Sequence, residues 1–199
     1  MRELSYGEKD NGMFDKLLFF LRTRVITSKL KETTHVKAII DLGSGYNGYF
    51  LSNIIDRFPD LEKAIGVDLS VNSKLDIRKI TLISGNLNEK LPFADKTFDI
   101  VFSTAVLEHL ENYDLALKEM YRILNDGGRL FLTTPDPSAK PVLEFLSYKL
   151  GLIEEHEIRD HKKYFSRKEL RSLFAELGFH GIRVMPFQLG LNTIAVCKK

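Results

Sequence analysis

Between Val36 and Thr133 the apolar residues fall in short unbroken runs: Val36–Ile40, Ala64–Val67, Ile80–Ile83, Phe98–Phe102 and Leu130–Thr133. Each run is too short for a buried helix and is bounded by polar or turn residues, so each predicts a strand buried on both faces. In the intervals Gly48–Arg57 and Tyr113–Leu124 the apolar positions recur at helical spacing instead. Strands alternating with helices predict a parallel sheet covered on both sides, an α/β chain of three layers. Gly127-Gly128 is read as the break between the second of these helices and the strand after it.

The flanks follow other rhythms. Phe14, Leu17, Leu18, Leu21, Val25 and Ile26 predict a helix over 13–31, within an N-terminal helical extension covering 1–35. Past Thr134, the prolines at 135, 137 and 141 end the last parallel strand and open an irregular stretch to about Phe165, with one helix at Val142–Leu150. Ser166 with Glu169 forms a capping box, and the helix it opens ends at Gly178. His180–Phe187 and Leu191–Cys197, joined by Gln188-Leu189-Gly190, predict an antiparallel pair. The expectation is a single domain over 1–199 with seven strands, mainly parallel with an antiparallel last strand. The stretch 135–165 is an insert placed to act as a lid.

Composition narrows the class. With 44% apolar and 28% charged residues, the chain is neither disordered nor collagen-like. Its 29 basic and 27 acidic residues leave a net charge of +2, a balance that a nucleic-acid binder can have but that does not suggest one. A single cysteine, Cys197, excludes an internal disulfide or thiolate cluster. The apolar stretch Phe14–Ile26 is interrupted by Asp15, Lys16, Arg22 and Arg24, too short and too charged to span a bilayer. The polar N-terminal residues lack the pattern of a secretion signal. A soluble, cytoplasmic protein is expected.

Candidate chemistry begins where the first strand ends, at Asp41-Leu42-Gly43-Ser44-Gly45-Tyr46-Asn47-Gly48. Glycines there let the backbone turn sharply and approach a ligand closely. Residues 43–48 also spell G-x-G-x-x-G, with Asp68 placed as in a dinucleotide fingerprint, so the glycines alone leave a nicotinamide-dependent dehydrogenase open. Asp41 separates the two readings. A carboxylate at that strand end opposes a pyrophosphate but suits a ligand bearing an ammonium and a sulfonium. Asp68, ending the second strand, can accept both hydroxyls of a ribose. Asn86, after the third strand, is placed to meet an adenine edge.

At these residues the chain resembles the class I S-adenosylmethionine-dependent methyltransferases, over roughly 36–135 and more weakly over 161–197. The most specific part of the resemblance is Leu91-Pro92-Phe93-Ala94-Asp95-Lys96-Thr97-Phe98-Asp99-Ile100-Val101, leading to Leu107-Glu108-His109. It implies a Rossmann-like fold and methyl transfer from S-adenosyl-L-methionine, leaving S-adenosyl-L-homocysteine. It further implies cofactor contacts at Asp41, Gly43, Ser44, Gly45, Asp68, Leu69, Asn86 and Leu87. The glycine turn here is one residue longer than the family's usual form, and Asn86 stands where the family often has an aspartate. Leu42, Leu69, Leu87 and Phe93 read equally as pocket lining or plain core, and Asp99 reads as a tie for its own strand.

His109 and His161 are the candidate general bases, against a site-shaping role for each. Glu154-Glu155-His156-Glu157-Ile158-Arg159-Asp160-His161 reads as a solvated loop rather than a metal site, so no metal is expected. The basic residues Arg159, Lys162, Lys163, Arg167, Lys168 and Arg171 read as a solvated face before an anion-binding one. Ser103-Thr104-Ala105-Val106 after the fourth strand lacks the motif by which this family methylates nucleobase amines, and Cys197 is wrongly placed for a pyrimidine nucleophile. A small-molecule or sugar-like acceptor is the remaining expectation, with a non-catalytic cofactor-binding module as the alternative. Oligomeric state is not legible.

Overall fold

The structure is a computed structural model and describes residues 13–30, 35–75, 79–151 and 155–199, without the side chains of Met13, Phe14, His156 and Glu157. The parts of the predicted N-terminal extension at 1–12 and 31–34, and Glu154 of the acidic stretch, lie outside the described residues.

Among the described residues seven strands form one sheet in the order β3-β2-β1-β4-β5-β7-β6. They are β1 (Ala38–Leu42), β2 (Lys63–Asp68), β3 (Ile80–Ser84), β4 (Phe98–Thr104), β5 (Leu124–Pro135), β6 (His180–Phe187) and β7 (Asn192–Lys198). All pairings from β3 to β5 are parallel, and β7 runs antiparallel to both β5 and β6. Among the described residues six α-helices accompany them: α1 (Met13–Lys29), α2 (Tyr49–Ile54), α3 (Tyr113–Ile123), α4 (Lys140–Tyr148), α5 (Glu155–Arg159) and α6 (Arg167–Glu176).

Successive strand residues face opposite ways, which divides the core in two. Ile40, Val101, Leu130 and Leu132 pack with Leu117 and Met120 of α3 and Phe174 of α6. Their neighbours Ile39, Ile100, Phe102 and Phe131 pack on the other face with Ile26 of α1 and Leu51 and Ile54 of α2. Continuous apolar runs are thus what a sheet covered on both sides requires.

Three details depart from the sequence reading. The break after α3 falls at Leu124, not at the glycine pair. Gly127-Gly128 lie within an irregular start of β5, where the step from Phe98 to Ile100 on β4 is matched by the longer step from Leu124 to Arg129. Gly127 adopts φ +78 there, and its N–H donates to the Lys199 carbonyl at 2.8 Å, so the glycines serve a bulge rather than a helix stop. A short helix, α5, occupies part of the stretch read as irregular. Asp99 ties down the start of the neighbouring strand rather than its own, its Oδ2 accepting the N–H groups of Lys37 (2.7 Å) and Ala38 (3.0 Å).

Candidate active site

Strand order reverses between β1 and β4, the point at which open α/β sheets leave a crevice beyond their carboxyl ends. Asp41 lies on β1 opposite Phe102 of β4 and borders a cavity there. The glycine turn is fixed from below by β2: the N–H groups of Gly43 and Ser44 both donate to the Val67 carbonyl, at 2.7 and 3.1 Å. Gly43 has φ +88, and a Cβ on it would lie 2.0 Å from Cγ2 of Val106, so both the backbone angle and the close approach of the β4 end require glycine.

Two cavities flank this contact. The first, about 120 Å³, is lined by Asp41, Gly43, Glu108, His109, Ile158 and His161, among others, and by Asp15, Phe19 and Arg22 of α1 and Leu143 of α4. The second, about 230 Å³, is lined by Asp68, Leu69, Asn86, Leu87, His109 and Asp160, among others. Gly43, Val106 and His109 border both. Leu42 and Phe93 belong to the core or pack against it, whereas Leu69 and Leu87 line the second cavity.

The two acids of the strand ends differ sharply. Asp68 is satisfied by backbone: its Oδ2 accepts the Gly45 N–H and its Oδ1 the Leu69 N–H, both at 2.8 Å. Asp41 is fully buried, and neither of its carboxylate oxygens has a hydrogen-bond partner among the described residues. Burial, reinforced by the nearby Asp68 charge, pushes its carboxyl up to about 8. Buried carboxylates without partners are rare in folded proteins, and this one sits on a cavity wall. Asn86 lines the second cavity, but its side chain is committed to its own turn. Its Nδ2 donates to Glu89 at 2.8 Å, and its Oδ1 accepts the Asn88 N–H at 3.0 Å.

The two histidines, far apart in sequence, meet. Their ring centroids are 4.7 Å apart in an edge-to-face arrangement. His109 Nδ1 lies 3.2 Å from Asp160 Oδ2, with both side chains nearly buried, and this contact, opposed by burial, holds the Asp160 carboxyl down to about 2. His161 Nδ1 lies 2.8 Å from the Tyr164 hydroxyl, whose own ionisation burial pushes up to about 12. Glu108 is buried, and its Oε2 accepts from Thr134 Oγ1 at 3.1 Å. Its carbonyl also receives the Lys162 N–H at 2.7 Å, holding the segment after α5 against the turn after β4.

In the sequence, Asp160 reads only as part of a solvated acidic stretch and Glu108 only as part of Leu107-Glu108-His109, while Thr134 and Tyr164 carry no assigned role. Asp160 could have been suspected from its place beside His161, but nothing local pairs it with His109.

Most of the 91–101 block does not reach either cavity. Arg122 of α3 gathers it, donating to the carbonyls of Leu91 (3.2 Å) and Phe93 (2.7 Å) and to Asp95 (2.7 Å), with Glu119 binding the same guanidinium at 2.6 Å. The basic residues after α4 are largely engaged: Lys163 with Glu169 at 2.6 Å, Arg159 with Glu155 at 3.1 Å, and Arg171 with the Val184 carbonyl at 2.8 Å. Cys197 is buried in β7, its thiol pushed up to about 12 by burial, which removes it from nucleophilic chemistry.

A family model described as a methyltransferase domain matches residues 10–184. The chain belongs to that family. Its fold is that of the class I S-adenosylmethionine-dependent methyltransferases. This methyltransferase domain is 29% identical over 153 residues to a demethylmenaquinone methyltransferase of Bacillus mycoides, covering 65% of this chain and 64% of the relative. The chain thus spans less than two thirds of the length of the curated relatives it matches. An S-adenosylmethionine-dependent methyltransferase from Thermotoga maritima superposes with a TM-score of 0.70 at 20% identity, over 94% of this chain and 91% of that one. Phosphoethanolamine N-methyltransferase 2 of Haemonchus contortus, solved with S-adenosyl-L-methionine, superposes with a TM-score of 0.67 at 17% identity, over 89% and 52%. No helix among the described residues is long and apolar enough to cross a membrane.

Proposed function

We propose that this protein transfers a methyl group from S-adenosyl-L-methionine to a small-molecule acceptor, leaving S-adenosyl-L-homocysteine. The observation that carries the reading is Asp41, a buried carboxylate just before the glycine turn whose oxygens lack partners among the described residues. Its raised proton affinity is what burial beside a second acid produces, and a ligand with a positive charge would reverse it. A methionine ammonium supplies that charge; a pyrophosphate would aggravate the problem.

The residues fit the cofactor at the other end as well. Asp68, anchored by the Gly45 N–H, stands on the wall of the second cavity, where a carboxylate can take ribose hydroxyls. Leu69 and Leu87 offer apolar surface for a purine, and Asn86 shapes that wall through its turn. Gly43, Ser44 and Gly45 bring backbone close to the methionine part. When bound, the cofactor would supply a methyl group activated on sulfur. Position is the protein's main contribution, and holding two reactants aligned can account for roughly 7–11 kcal/mol of a barrier.

In this reading the acceptor enters the first cavity, with α1 and the described residues of the 135–165 insert as its lid and His109 and His161 among its lining. The relatives named demethylmenaquinone methyltransferases support an acceptor of small-molecule size. The near-balanced net charge does not suggest a nucleic-acid acceptor, and a cytoplasmic location is part of this reading.

Calorimetric titration with S-adenosyl-L-homocysteine, and separately with NAD, tests the cofactor half. Micromolar binding of the first and none of the second is expected; the reverse result overturns the reading. Incubation with methyl-labelled cofactor and fractionated cell metabolites tests the other half. Label remaining on the cofactor across all fractions would leave a binding module without catalysis.

A further inference from the structure

We propose that Glu108, His109 and His161 form a binding site for one divalent transition-metal cation, its open side facing the first cavity. The inference deepens the function proposed above and rests on it, because the cation would hold the acceptor.

One ligand atom from each of the three side chains lies within 4.8 Å of the other two. Two imidazoles and a carboxylate suit zinc, manganese, iron or cobalt, whereas calcium and magnesium favour oxygen donors throughout. Ligands held about 2.0–2.2 Å from such an ion stand a little over 3 Å apart, so modest side-chain rotations would close the trio around it.

The surroundings argue against an accidental cluster. Imidazoles that ligate metals characteristically have their other nitrogen held by a carboxylate or similar group, which fixes ring and tautomer. Here Asp160 holds Nδ1 of His109 at 3.2 Å, and the Tyr164 hydroxyl holds Nδ1 of His161 at 2.8 Å. The carboxylate has its own support, Thr134 Oγ1 donating to Glu108 Oε2 at 3.1 Å. Glu108 and His109 are consecutive on the turn after β4, and Asp160 and His161 are consecutive after α5. Two acid–histidine pairs therefore face each other. One acid ligates and the other orients the opposing ring. The backbone bond from Lys162 N–H to the Glu108 carbonyl, 2.7 Å, locks the pairs together.

Three protein ligands leave coordination positions open, as in sites that bind substrate. Asp41 and Gly43 line the same cavity, so an acceptor on the open side would lie beside the methionine end of the cofactor. The acceptor class that fits is a hydroxyl with a neighbouring oxygen, as in a hydroxy-carbonyl compound or a vicinal diol. Coordination lowers the pKa of such a hydroxyl. Its O–H bond breaks, the proton leaves to water, and the oxygen keeps the electron pair that methylation uses.

The test is titration of tag-free, chelator-treated protein with Zn²⁺ by calorimetry and with Co²⁺ by visible absorption. One equivalent should bind and give cobalt ligand-field bands. His161→Ala and Glu108→Gln should abolish both signals, with folding checked by circular dichroism. Asp160→Asn and Tyr164→Phe, which leave all three ligands in place, should weaken binding tenfold to hundredfold. Absence of binding overturns the inference. So does binding that survives His161→Ala, or that disappears when the exposed His35 and His180 are replaced by Gln. Wild-type protein that takes up cobalt but not S-adenosyl-L-homocysteine would overturn the proposed function and leave the cation site standing.

Discussion

The amide of Gly45 donates to the carboxylate of Asp68 across 2.8 Å, so the glycine turn and the acid after β2 form one unit before any ligand arrives. Asp68→Ala should therefore have two effects. Loss of hydrogen bonds to a charged acceptor, about 1.5–3 kcal/mol each, predicts at least a tenfold rise in the Kd for S-adenosyl-L-homocysteine. The orphaned Gly45 N–H adds a stability loss of about 1–3 kcal/mol, read from urea unfolding. An unchanged Kd in calorimetry would mean that the ribose lies elsewhere.

Asp41 sets function against stability. Its folded-state carboxyl titrates at about 8, while an unfolded chain's titrates near 3.8. Between those values the folded state holds the extra proton, so this group makes the ligand-free protein less stable as pH rises from 4 to 8, and the loss levels off above. Asp41→Asn removes the ionisation. The variant should melt higher than the parent at pH 8, by less at pH 5, and should bind S-adenosyl-L-homocysteine at least tenfold more weakly. In the parent, affinity should rise with pH toward about 8 as Asp41 gives up its proton to face the ligand's ammonium. Melting curves that are parallel across pH for parent and variant would refute this.

How much of this was open to inspection in the sequence depends on range. The strands were legible because unbroken apolar runs have one stable place, inside a two-faced sheet, and Ser166 announced α6 by chemistry that acts over three residues, its hydroxyl accepting the Glu169 N–H at 3.2 Å. Gly127-Gly128 misled because a glycine pair serves a bulge as well as a helix stop. Asp41, Gly43 and Asp68 declared themselves by position at strand ends. His109 and His161 could be named but not joined, because their meeting depends on how the segment after α5 packs against the turn after β4. Asn86 looked available for a ligand because Glu89, its partner in the fold, is ordinary in sequence.

Gly43→Ala should cost stability twice. The left-handed backbone costs a side chain about 1–2 kcal/mol, and the collision with Val106 adds about 1–3 kcal/mol. Urea unfolding of Gly43→Ala and of the double variant with Val106→Ala separates the two, since shortening Val106 relieves the collision and leaves the backbone cost. Equal stability of the two variants would show that Val106 simply moves aside.

Arg122 marks where the family's most specific block acts. Arg122→Ala removes bonds to Leu91, Phe93, Asp95 and Glu119, leaving Glu119 close to buried without its cation. A loss of about 3–5 kcal/mol is expected, as when one partner of a buried pair is deleted. Arg122→Lys should recover little, because one ammonium cannot reach the same set of acceptors. At temperatures where the variants stay folded, the Kd for S-adenosyl-L-homocysteine should match that of the parent. A weakened Kd would place this block in the binding site rather than beneath it.

The bond between Lys162 N–H and the Glu108 carbonyl has a consequence for traffic through the first cavity. The same short segment also carries the Asp160–His109 contact and a second, longer bond from Lys163 N–H to Glu108 at 3.3 Å. If the segment after α5 swings away to admit an acceptor, these three break in concert. At about 1 kcal/mol each, the doorway would stand ajar in roughly one molecule in a hundred or fewer. Such a segment would act as a latch, so that admission to the cavity and the pairing of His109 with Asp160 would be one event.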